Sequence, residues 1–464
     1  MTKLRSLLAT FFISTIFFGL NAQETPKYIF YFIGDGMGMG HVLATQTYNR
    51  VVLGNTDPIL MMQFPVSGVI TTFSASSPIT DSAAAGTALS TGSKTKNSML
   101  GMNADTVSVE SVASQLFKKG YGVGIITSVC PDDATPGAFY AHQPNRRNKY
   151  EIDMEAIASG YQFIAGSNFS GLKTRDGKST GVVEAMAEQG IDYVRGAEAA
   201  AASTSERVMM VNTDSINKDN IGYTIDSIAG VLTLPEMTQT CLNHLLKWTP
   251  EKFFMMVEGG NIDHAAHAND GGTVIKEILN FNEALQIAYD FYLQHPDETL
   301  IIVTADHDTG GMAIGNPAVG YRMNPQYIDY QRISLDRFAD ECRGILRSRR
   351  IYTWDDMKEL LSTQLGFWNG VPVNEKQTEL LREKFEKTFE QRNSEDLKTL
   401  YSNFDEFTDV VFKTFNDVTG IGWVTTSHTG NYVPVYSIGV GSEALYGIHD
   451  NTDIPAMIRK VAEL

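Results

Sequence analysis

Residues 28–36 read Tyr28-Ile29-Phe30-Tyr31-Phe32-Ile33-Gly34-Asp35-Gly36, an apolar run that ends on an aspartate between two glycines. A short, uninterrupted run of aromatic and β-branched residues is typical of a strand buried on both faces of a parallel sheet. Similar runs recur at residues 66–73, 122–127, 253–257, 299–304 and 433–440. The sequence therefore predicts a mainly parallel central sheet.

Helical patterns lie between these runs, for example at residues 109–119 and 275–292. Alternation of strands and helices predicts an α/β fold, a three-layer αβα sandwich. Ligands in such folds bind beyond the carboxyl ends of the strands. We therefore expect the functional residues in the loops that follow the strands.

Residues 321–419 differ from the rest of the chain because they are charged and helical in period, as at residues 375–391 and 396–415. We interpret this region as a helical insertion that forms a cap or crown on the main domain. An independent domain is the alternative. Together with the insertion, residues 23–464 are predicted to form one domain that carries the functional site.

The first 22 residues have the features of a signal peptide. Lys3 and Arg5 precede an apolar stretch at residues 7–20, and a suitable cleavage site ends at Ala22. A membrane anchor is the alternative, but the apolar stretch is shorter than the roughly 20 residues that a span requires. We expect export to a secreted or periplasmic location, with no membrane span after cleavage.

The chain is acidic, with a formal net charge of −17 that becomes −19 once Lys3 and Arg5 are removed. Such a protein is a poor candidate for nucleic-acid binding, which depends on cationic side chains. An anionic substrate would require locally concentrated positive charge, for instance from metal ions. Its three cysteines, Cys130, Cys241 and Cys342, do not make a disulfide framework, and at most one pair could form.

The loops next to the predicted strands are rich in Asp, Glu and His. The residues concerned are Asp35, Glu258, Asp263, His264, His267, Asp306, His307 and His428. Asp263 and His267 are four residues apart, so on one helical turn they can bind the same ion. An ordinary turn or a surface histidine could explain any one loop, but the coincidence of all of them predicts a site with several metal ions.

Ser82 begins a stretch of small residues directly after Asp81. Asp81 is a good helix N-cap, so Ser82 would lie at a helix N-terminus, where backbone N–H groups and the helix dipole favour an anion. A capped helix that packs closely through small residues is the alternative. Neither a Gly-x-Ser-x-Gly elbow nor an obvious histidine base accompanies the serine, so its activation would come from a metal ion.

Arg146 and the segment Asp133-Ala134-Thr135-Pro136 complete the candidate site. An arginine presents a planar fork that matches two phosphate oxygens, although Arg146 and Arg147 also fit a solvated basic pair. Two zinc-type ions side by side suit phosphoryl transfer, since one activates the nucleophile and the other stabilises the leaving oxygen.

These residues resemble the alkaline phosphatase family in its metal-dependent, serine-nucleophile form. The matching segments follow the family's order at 33–38, 80–84, 90–92, 94–95, 133–136, 257–259, 304–307 and 428–430, with His142, Arg146, Asp263 and His267. Residues 450–454 are similar as well. The resemblance implies an αβα sandwich, usually dimeric, that hydrolyses phosphate monoesters to an alcohol and inorganic phosphate.

The resemblance also implies roles for individual residues. Ser82 would be the nucleophile that forms a phosphoserine, and Arg146 would clamp the phosphate oxygens. Two Zn²⁺ and one Mg²⁺ are implied, with Asp263, His267 and His428 on the first zinc, Asp35, Asp306 and His307 on the second, and Asp35, Thr135 and Glu258 on magnesium. Asp133 would act on the magnesium through water. Asp133 and His264 occupy positions that vary in the family, and their combination mixes two subtypes.

The leading interpretation is therefore an exported alkaline phosphatase. A phosphodiesterase or phosphonate hydrolase of the same superfamily is the alternative, and Arg146 favours a dianionic monoester over it. A sulfatase would need a proline and an arginine shortly after its nucleophile, which the residues after Ser82 do not provide. A remote alternative is a non-catalytic protein that binds metal or phosphate.

Overall fold

Strands and helices alternate along the chain in the computed structural model, which describes residues 25–213, 219–348 and 351–464. The strands are β1 (Tyr28–Gly34), β2 (Val66–Thr71), β3 (Gly122–Thr127), β4 (Phe163–Gly166), β5 (Ile191–Arg195), β6 (Arg207–Val211), β7 (Phe253–Glu258), β8 (Thr299–Ala305), β9 (Asp308–Thr309), β10 (Ala313–Ile314), β11 (Asp396–Lys398), β12 (Asn403–Asp405), β13 (Ile421–Gly422), β14 (His428–Thr429), β15 (Val433–Gly439) and β16 (Gly447–Asp450). The helices are α1 (Met39–Val51), α2 (Ser82–Thr91), α3 (Val112–Lys118), α4 (Ala134–Gly137), α5 (Lys149–Ala158), α6 (Val182–Glu188), α7 (Ala197–Ala202), α8 (Leu234–Trp248), α9 (Asn261–His267), α10 (Gly271–Gln294), α11 (Leu335–Arg347), α12 (Trp354–Leu365), α13 (Glu375–Phe385), α14 (Glu406–Thr419) and α15 (Asp453–Val461). The predicted signal peptide, residues 1–22, lies outside the described residues.

Within the described residues, ten strands form one sheet in the order β16-β2-β15-β8-β1-β7-β3-β4-β6-β5. Neighbouring strands are parallel except where β15 runs antiparallel to both β2 and β8. The prediction of an α/β sandwich with a mainly parallel central sheet is confirmed.

The central strand β1 shows why its sequence is apolar without interruption. Successive side chains of a strand point to opposite faces of the sheet. The ring of Phe32 contacts Phe281 of α10, with centroids 5.6 Å apart, and the ring of Tyr31 contacts Phe139, with centroids 6.0 Å apart. Both faces of β1 are therefore covered, and all seven of its residues are buried.

The six predicted strands are all present, whereas β4, β5, β6 and β16 were not predicted. Three of these lie together at one edge of the sheet and β16 forms the other edge. Of these four, only β5 and β16 are edge strands, which are less covered and need fewer apolar residues, whereas β4 and β6 are short but largely buried. Two of the five residues of β5 are charged, and β16 is exposed at Gly447 and Ile448.

Residues 333–418 contain a second hydrophobic core, separate from the one that surrounds the sheet. Phe338, Leu361, Phe385 and Phe407 are fully buried in it. The prediction of a helix over residues 396–415 is wrong in its first part, because β11 and β12 form an antiparallel hairpin there. The helix begins only after Asp405, whose side chain caps α14 by accepting a hydrogen bond from the N–H of Thr408 at 2.9 Å.

Buried hydrogen bonds tie this second core to the main sheet. Asp270, the N-cap of α10, accepts from the side chain of Gln331 and from the backbone N–H of Leu335, each at 2.7 Å. Asp226 accepts from the N–H and the hydroxyl of Ser334, each at 2.8 Å. The contact between the two cores is therefore specific, although the insertion boundaries at residues 321 and 419 stay a prediction.

Two further observations concern the described residues alone. None of their helices combines the length and the apolar character that crossing a membrane requires. Cys130, Cys241 and Cys342 are all buried, and no disulfide links them.

Candidate metal centre and nucleophile

The candidate residues meet at one edge of the sheet because of its strand register. In the parallel ladders around β1, Ile33 pairs with Glu258 and Gly34 pairs with Ala305. The chain therefore leaves β1, β7 and β8 side by side, which brings Asp35, Glu258 and Asp306 together. β15 runs antiparallel to β8, so the segment before it also reaches this edge.

Gly36 explains why the first aspartate lies between glycines. Its φ is +70°, a conformation that L side chains rarely adopt, and a Cβ at this position would lie only 2.8 Å from Oδ1 of Asp263 and from Oγ1 of Thr309. Its N–H donates to Oδ1 of Asp306 at 3.0 Å. The glycine therefore allows three acidic loops to approach one another closely.

The glycines after His307 reverse the chain. Gly310 and Gly311 have φ values of +77° and +60°. The reversal lets β9 pair antiparallel with β14, so that Thr309 lies opposite His428. This small ladder brings a histidine from far along the sequence next to His307, and the two imidazole rings stack with centroids 3.6 Å apart.

Ser82 is the first residue of α2 and is fully buried. The predicted cap is present, since Asp81 accepts from the N–H of Ala84 at 3.0 Å. The small residues also serve close packing: a Cβ on Gly86 would lie 3.1 Å from Cα of Thr135. Helix α2 therefore has both features that the sequence suggested: it packs closely through its small residues, and it places a serine at its N-terminus.

The serine hydroxyl lies beside His307, a contact that no sequence motif indicated. Ser82 Oγ is 3.2 Å from Nε2 of His307. In a serine-hydrolase triad a carboxylate would accept from the other ring nitrogen, but here Nδ1 faces the hydroxyl of Thr309 at 3.2 Å. The two nearby carboxylates, Asp35 and Asp306, face Nε2 instead, at 3.3 and 3.1 Å. The arrangement is therefore a ligand cluster rather than a triad.

Two groups of ligand atoms are compact enough to hold metal ions. Asp35, Asp306 and His307 each offer an atom, and these atoms lie within 4.8 Å of one another. Asp263, His307 and His428 form the second such group. His267 adjoins the second group, since its Nε2 is 3.4 Å from Oδ2 of Asp263. The structure thus brings together the six residues that the resemblance assigned to zinc.

Hydrogen bonds from Nδ1 of His267 and of His428 orient the Nε2 lone pair of each ring towards the ligand cluster. Nδ1 of His267 donates to the carbonyl of Thr426 at 2.6 Å, and Nδ1 of His428 donates to the carbonyl of Thr80 at 2.9 Å. Both Nε2 atoms are then acceptors, yet they face each other at 3.1 Å. Two lone pairs in this position fit a bound cation, and such backbone partners are usual for metal-binding histidines.

Unsatisfied oxygen atoms provide a second test of whether the site fits metal ions. Among the described residues, buried oxygens without a hydrogen-bond partner include Asp35 Oδ1, Thr135 Oγ1, Glu258 Oε1, Asp263 Oδ2 and Asp306 Oδ2. Buried polar atoms are normally paired, because leaving one unpaired costs about 1–3 kcal/mol. These five atoms belong to residues that the resemblance assigned to metals, so the donor set fits bound metal ions.

The protonation behaviour of the cluster leads to the same conclusion. Burial raises the pKa of Asp35 well above its ordinary range, and the charges of Asp306 and Asp263 add to this. Burial likewise raises the pKa of Glu258 to about 8 and that of Asp306 to about 7. The cluster is therefore short of positive charge, which divalent cations would supply.

Arg146 lies at the open side of this cluster. Its Nη2 donates to Oδ1 of Asp133 at 2.9 Å, and its Nη1 is 3.7 Å from Oδ2 of Asp81. Burial opposes the ionisation of Asp133, but the nearby charges of Lys149 and Arg146 hold the pKa of its carboxyl below the usual range. Arg147 points to solvent. The two arginines of the predicted basic pair therefore have different environments.

Sequence reasoning missed two residues beside Arg146. Nζ of Lys149 lies 3.4 Å from Oδ1 of Asp133 and donates to the carbonyl of Asp132 at 2.6 Å. The hydroxyl of Tyr401 accepts from Nη2 of Arg146 at 3.5 Å. The local sequence carried no signal for the lysine, because only its contact with Asp133 distinguishes it from a surface lysine. Tyr401 carried no signal either, because it comes from the distant β11–β12 hairpin.

The family model for alkaline phosphatase matches residues 26–173 and 161–464 of this chain. The chain belongs to the alkaline phosphatase family. Alkaline phosphatase 4 and alkaline phosphatase 3 of Bacillus subtilis are both 28% identical to it, over 96% and 95% of this chain and over 93% and 90% of their own lengths. The chain is accordingly an enzyme, a phosphoric monoester hydrolase of this family.

Solved alkaline phosphatases share its fold. The cold-active enzyme of Shewanella sp. superposes with a TM-score of 0.78 at 24% identity, covering 94% of this chain and 99% of that one. The Thermus thermophilus enzyme gives a TM-score of 0.78 at 24% identity, covering 95% and 92%. A histidine-to-aspartate variant of the alkaline phosphatase from the Antarctic bacterium TAB5, with magnesium bound in its M3 site, gives 0.65 at 22% identity, covering 95% and 99%.

Proposed function

We propose that this alkaline phosphatase is an exported enzyme that hydrolyses phosphate monoesters through a covalent phosphoserine at Ser82, with two zinc ions and one magnesium ion. The observation that carries the proposal is the cluster of unsatisfied ligand atoms around the serine. Its hydroxyl lies 3.2 Å from Nε2 of His307, which in turn lies 3.3 Å from Asp35 and 3.1 Å from Asp306.

The donor sets support a division of the metals into three positions. Mixed imidazole and carboxylate sets suit zinc, and we assign Asp263, His267 and His428 to one ion and Asp35, Asp306 and His307 to the other. An all-oxygen set of Asp35, Thr135 and Glu258 suits magnesium, with Asp133 acting through water. When bound, the metals would lower the pKa of the serine hydroxyl and stabilise charge on the leaving oxygen.

The residues of the chain then act in two successive displacements. Ser82 Oγ bonds to phosphorus while the bond from phosphorus to the ester oxygen breaks, and the alcohol leaves. A water molecule next attacks the phosphoserine and releases inorganic phosphate and the free serine. Throughout, the N-terminus of α2 favours the negative charge beside Ser82, and the guanidinium of Arg146 holds two phosphoryl oxygens.

Asp133 and Lys149 support this clamp. Asp133 accepts from Arg146 and fixes the direction of its guanidinium. Nζ of Lys149 lies 3.4 Å from the same carboxylate oxygen and helps to keep Asp133 ionised. The lysine also adds positive charge beside the phosphate position. Asp133 and His264 together mix two subtypes of the family, so magnesium at the third metal site is part of the proposal. The TAB5 variant with magnesium bound in its M3 site is consistent with this choice.

A phosphodiesterase or phosphonate hydrolase is the alternative that an assay must separate. A monoester presents two charged non-bridging oxygens to the arginine fork, whereas a diester carries only one charge. Turnover of a chromogenic monoester and of the diester with the same leaving group distinguishes the two. Faster hydrolysis of the diester would overturn the proposed substrate class.

Substitution of the nucleophile tests the mechanism. Ser82→Ala is expected to abolish measurable release of inorganic phosphate, while the metal content of the purified protein stays at three ions per chain. Ser93→Ala, just beyond the other end of α2, is the matched control and should retain full activity. Undiminished activity of Ser82→Ala would remove the serine from its role, and would leave a metal-bound water as the nucleophile.

Export and dimerisation are proposed on the resemblance and on the sequence of residues 1–22. Expression of the whole chain in a bacterial host should yield protein outside the cytoplasm whose first residue is Gln23. Recovery of uncleaved protein in the membrane fraction would contradict export with cleavage. Sedimentation of the mature protein, compared with the mass expected for two chains, tests the dimer.

A further inference from the structure

The β11–β12 hairpin reaches from the second core into the active site. Its turn is closed by the N–H of Thr399, which donates to the carbonyl of Ser402 at 2.9 Å, and Tyr401 lies in that turn. Phe404, which is only 5% exposed, anchors the following strand in the second core. The tip of the hairpin is therefore held at the site from outside the main sheet.

Tyr401 makes three contacts there, each with a residue of the candidate site. Its ring stacks on the imidazole of His264, with centroids 3.7 Å apart and planes 25° apart, and meets His267 edge-on at 5.4 Å. Its hydroxyl oxygen accepts from Nη2 of Arg146 at 3.5 Å. In the described part of the chain, Arg146 is the one hydrogen-bond partner of this hydroxyl, so its proton is available to a further acceptor.

We propose that Tyr401 is a substrate-binding residue of the phosphate clamp: it orients Arg146 and His264 and donates its hydroxyl proton to the phosphoryl oxygen that the arginine positions. This inference rests on the proposed role of Arg146. It assigns a function to the predicted insertion at residues 321–419, which would supply one wall and one hydrogen-bond donor of the substrate site.

Binding of inorganic phosphate to the protein loaded with zinc and magnesium tests the inference without turnover. Tyr401→Phe keeps the ring and removes the hydroxyl, and should weaken phosphate binding about three- to tenfold, the range for one hydrogen bond. Tyr401→Ala also removes the stack on His264 and should weaken binding further. The KM for a monoester should rise by a similar factor in Tyr401→Phe, while kcat changes less.

A double-mutant cycle separates positioning from a general structural effect. In an Arg146→Ala background, Tyr401→Phe should change phosphate affinity less than about twofold, because its partner is gone. Tyr330→Phe is the control, since the Tyr330 ring is partly exposed and packs against Gly366 and Gly370 rather than against a residue of the candidate site. This control should bind phosphate as the wild type does.

Two results would overturn the inference: unchanged phosphate affinity in Tyr401→Phe, or the same loss with and without Arg146. Both use a variant that retains the ring, so a folding failure of Tyr401→Ala does not affect them. If Ser82→Ala retains activity while phosphate affinity still depends on Tyr401, the proposed phosphoserine mechanism fails and this inference stands. If the serine is essential and Tyr401→Phe has no effect, only this inference fails.

Discussion

Replacing Arg146 by alanine should reduce kcat/KM for a phosphate monoester by roughly 150-fold. The fork offers two charge-assisted hydrogen bonds to the phosphoryl group, each contributing about 1.5–3 kcal/mol. Since one donor is already engaged with Asp133 at 2.9 Å, we take the lower end, about 3 kcal/mol in total. At about 1.4 kcal/mol for each factor of ten, this gives the stated loss.

The neighbouring charges make this variant suitable for the test. Asp133 would keep a cationic partner, because Nζ of Lys149 lies 3.4 Å from the same oxygen. Arg146→Lys should retain part of the activity, since it keeps the charge but loses the planar fork. The matched control is Arg147→Ala, which removes the same charge from an exposed side chain one residue away and should leave kcat/KM unchanged.

The assay compares a chromogenic monoester with the diester that has the same leaving group. The diester has one charged non-bridging oxygen fewer, so Arg146→Ala should reduce its much slower hydrolysis by only about tenfold, as expected for one charge-assisted hydrogen bond. Metal content must be equal in all variants. A loss below about fivefold for the monoester, or the same loss for both substrates, would refute the assignment of Arg146 as a clamp for two phosphoryl oxygens.

Two further predictions concern stability. Burial raises the pKa of Glu258 from 4.5 to about 8. Between these values, in the presence of chelator, the folded state keeps a proton on Glu258 that the unfolded state has released. The free energy of unfolding should therefore fall as pH rises from 4.5 to about 8. Denaturant unfolding across this range measures the effect, and a midpoint that rises with pH contradicts it. Gly86→Leu should lower the free energy of unfolding by about 1–3 kcal/mol and weaken magnesium binding, because the added side chain meets the backbone of Thr135. Gly344→Ala, where a Cβ meets open space, is the control in the same denaturation assay, and an equal loss in both variants would contradict the packing argument.

The central part of the fold could be predicted because its strands are buried on both faces. β1, β7 and β8 are mostly apolar and buried at every position, and each ends at or just before an acidic residue at the same edge of the sheet. Parallel strands end together, so order along the sequence was enough to predict which loops meet. The strands at the sheet edges lack this pattern, and their pairing became visible only in the structure.

Lys149 and Tyr401 could not be predicted from local pattern. Lys149 begins a short helix of mixed composition, and only its distance to Asp133 distinguishes it from a surface lysine. Tyr401 lies in a segment that reads as helical, and the hairpin forms because Leu397 and Phe404 pair across it. Where the hairpin tip lies depends on how two hydrophobic cores pack together, which no sequence period encodes.

The proposed metal ligands also join the two cores. Asp306 and His307 lie where the chain leaves the sheet, and His428 lies where it returns after the second core. The β9–β14 ladder closes this neck, and the N–H of Gly310 adds a bond to the carbonyl of Ser427 at 2.9 Å. His428 further donates to the carbonyl of Thr80, two residues before Ser82.

Cations held by His307 and by His428 would therefore stabilise the closed neck as well as the site. Whatever binds only the folded arrangement stabilises it, and by linkage a well-packed second core should raise metal affinity in turn. Because metal affinity and packing of the second core are linked, the charged region between His307 and His428 can influence catalysis in a second way, besides the side chain of Tyr401.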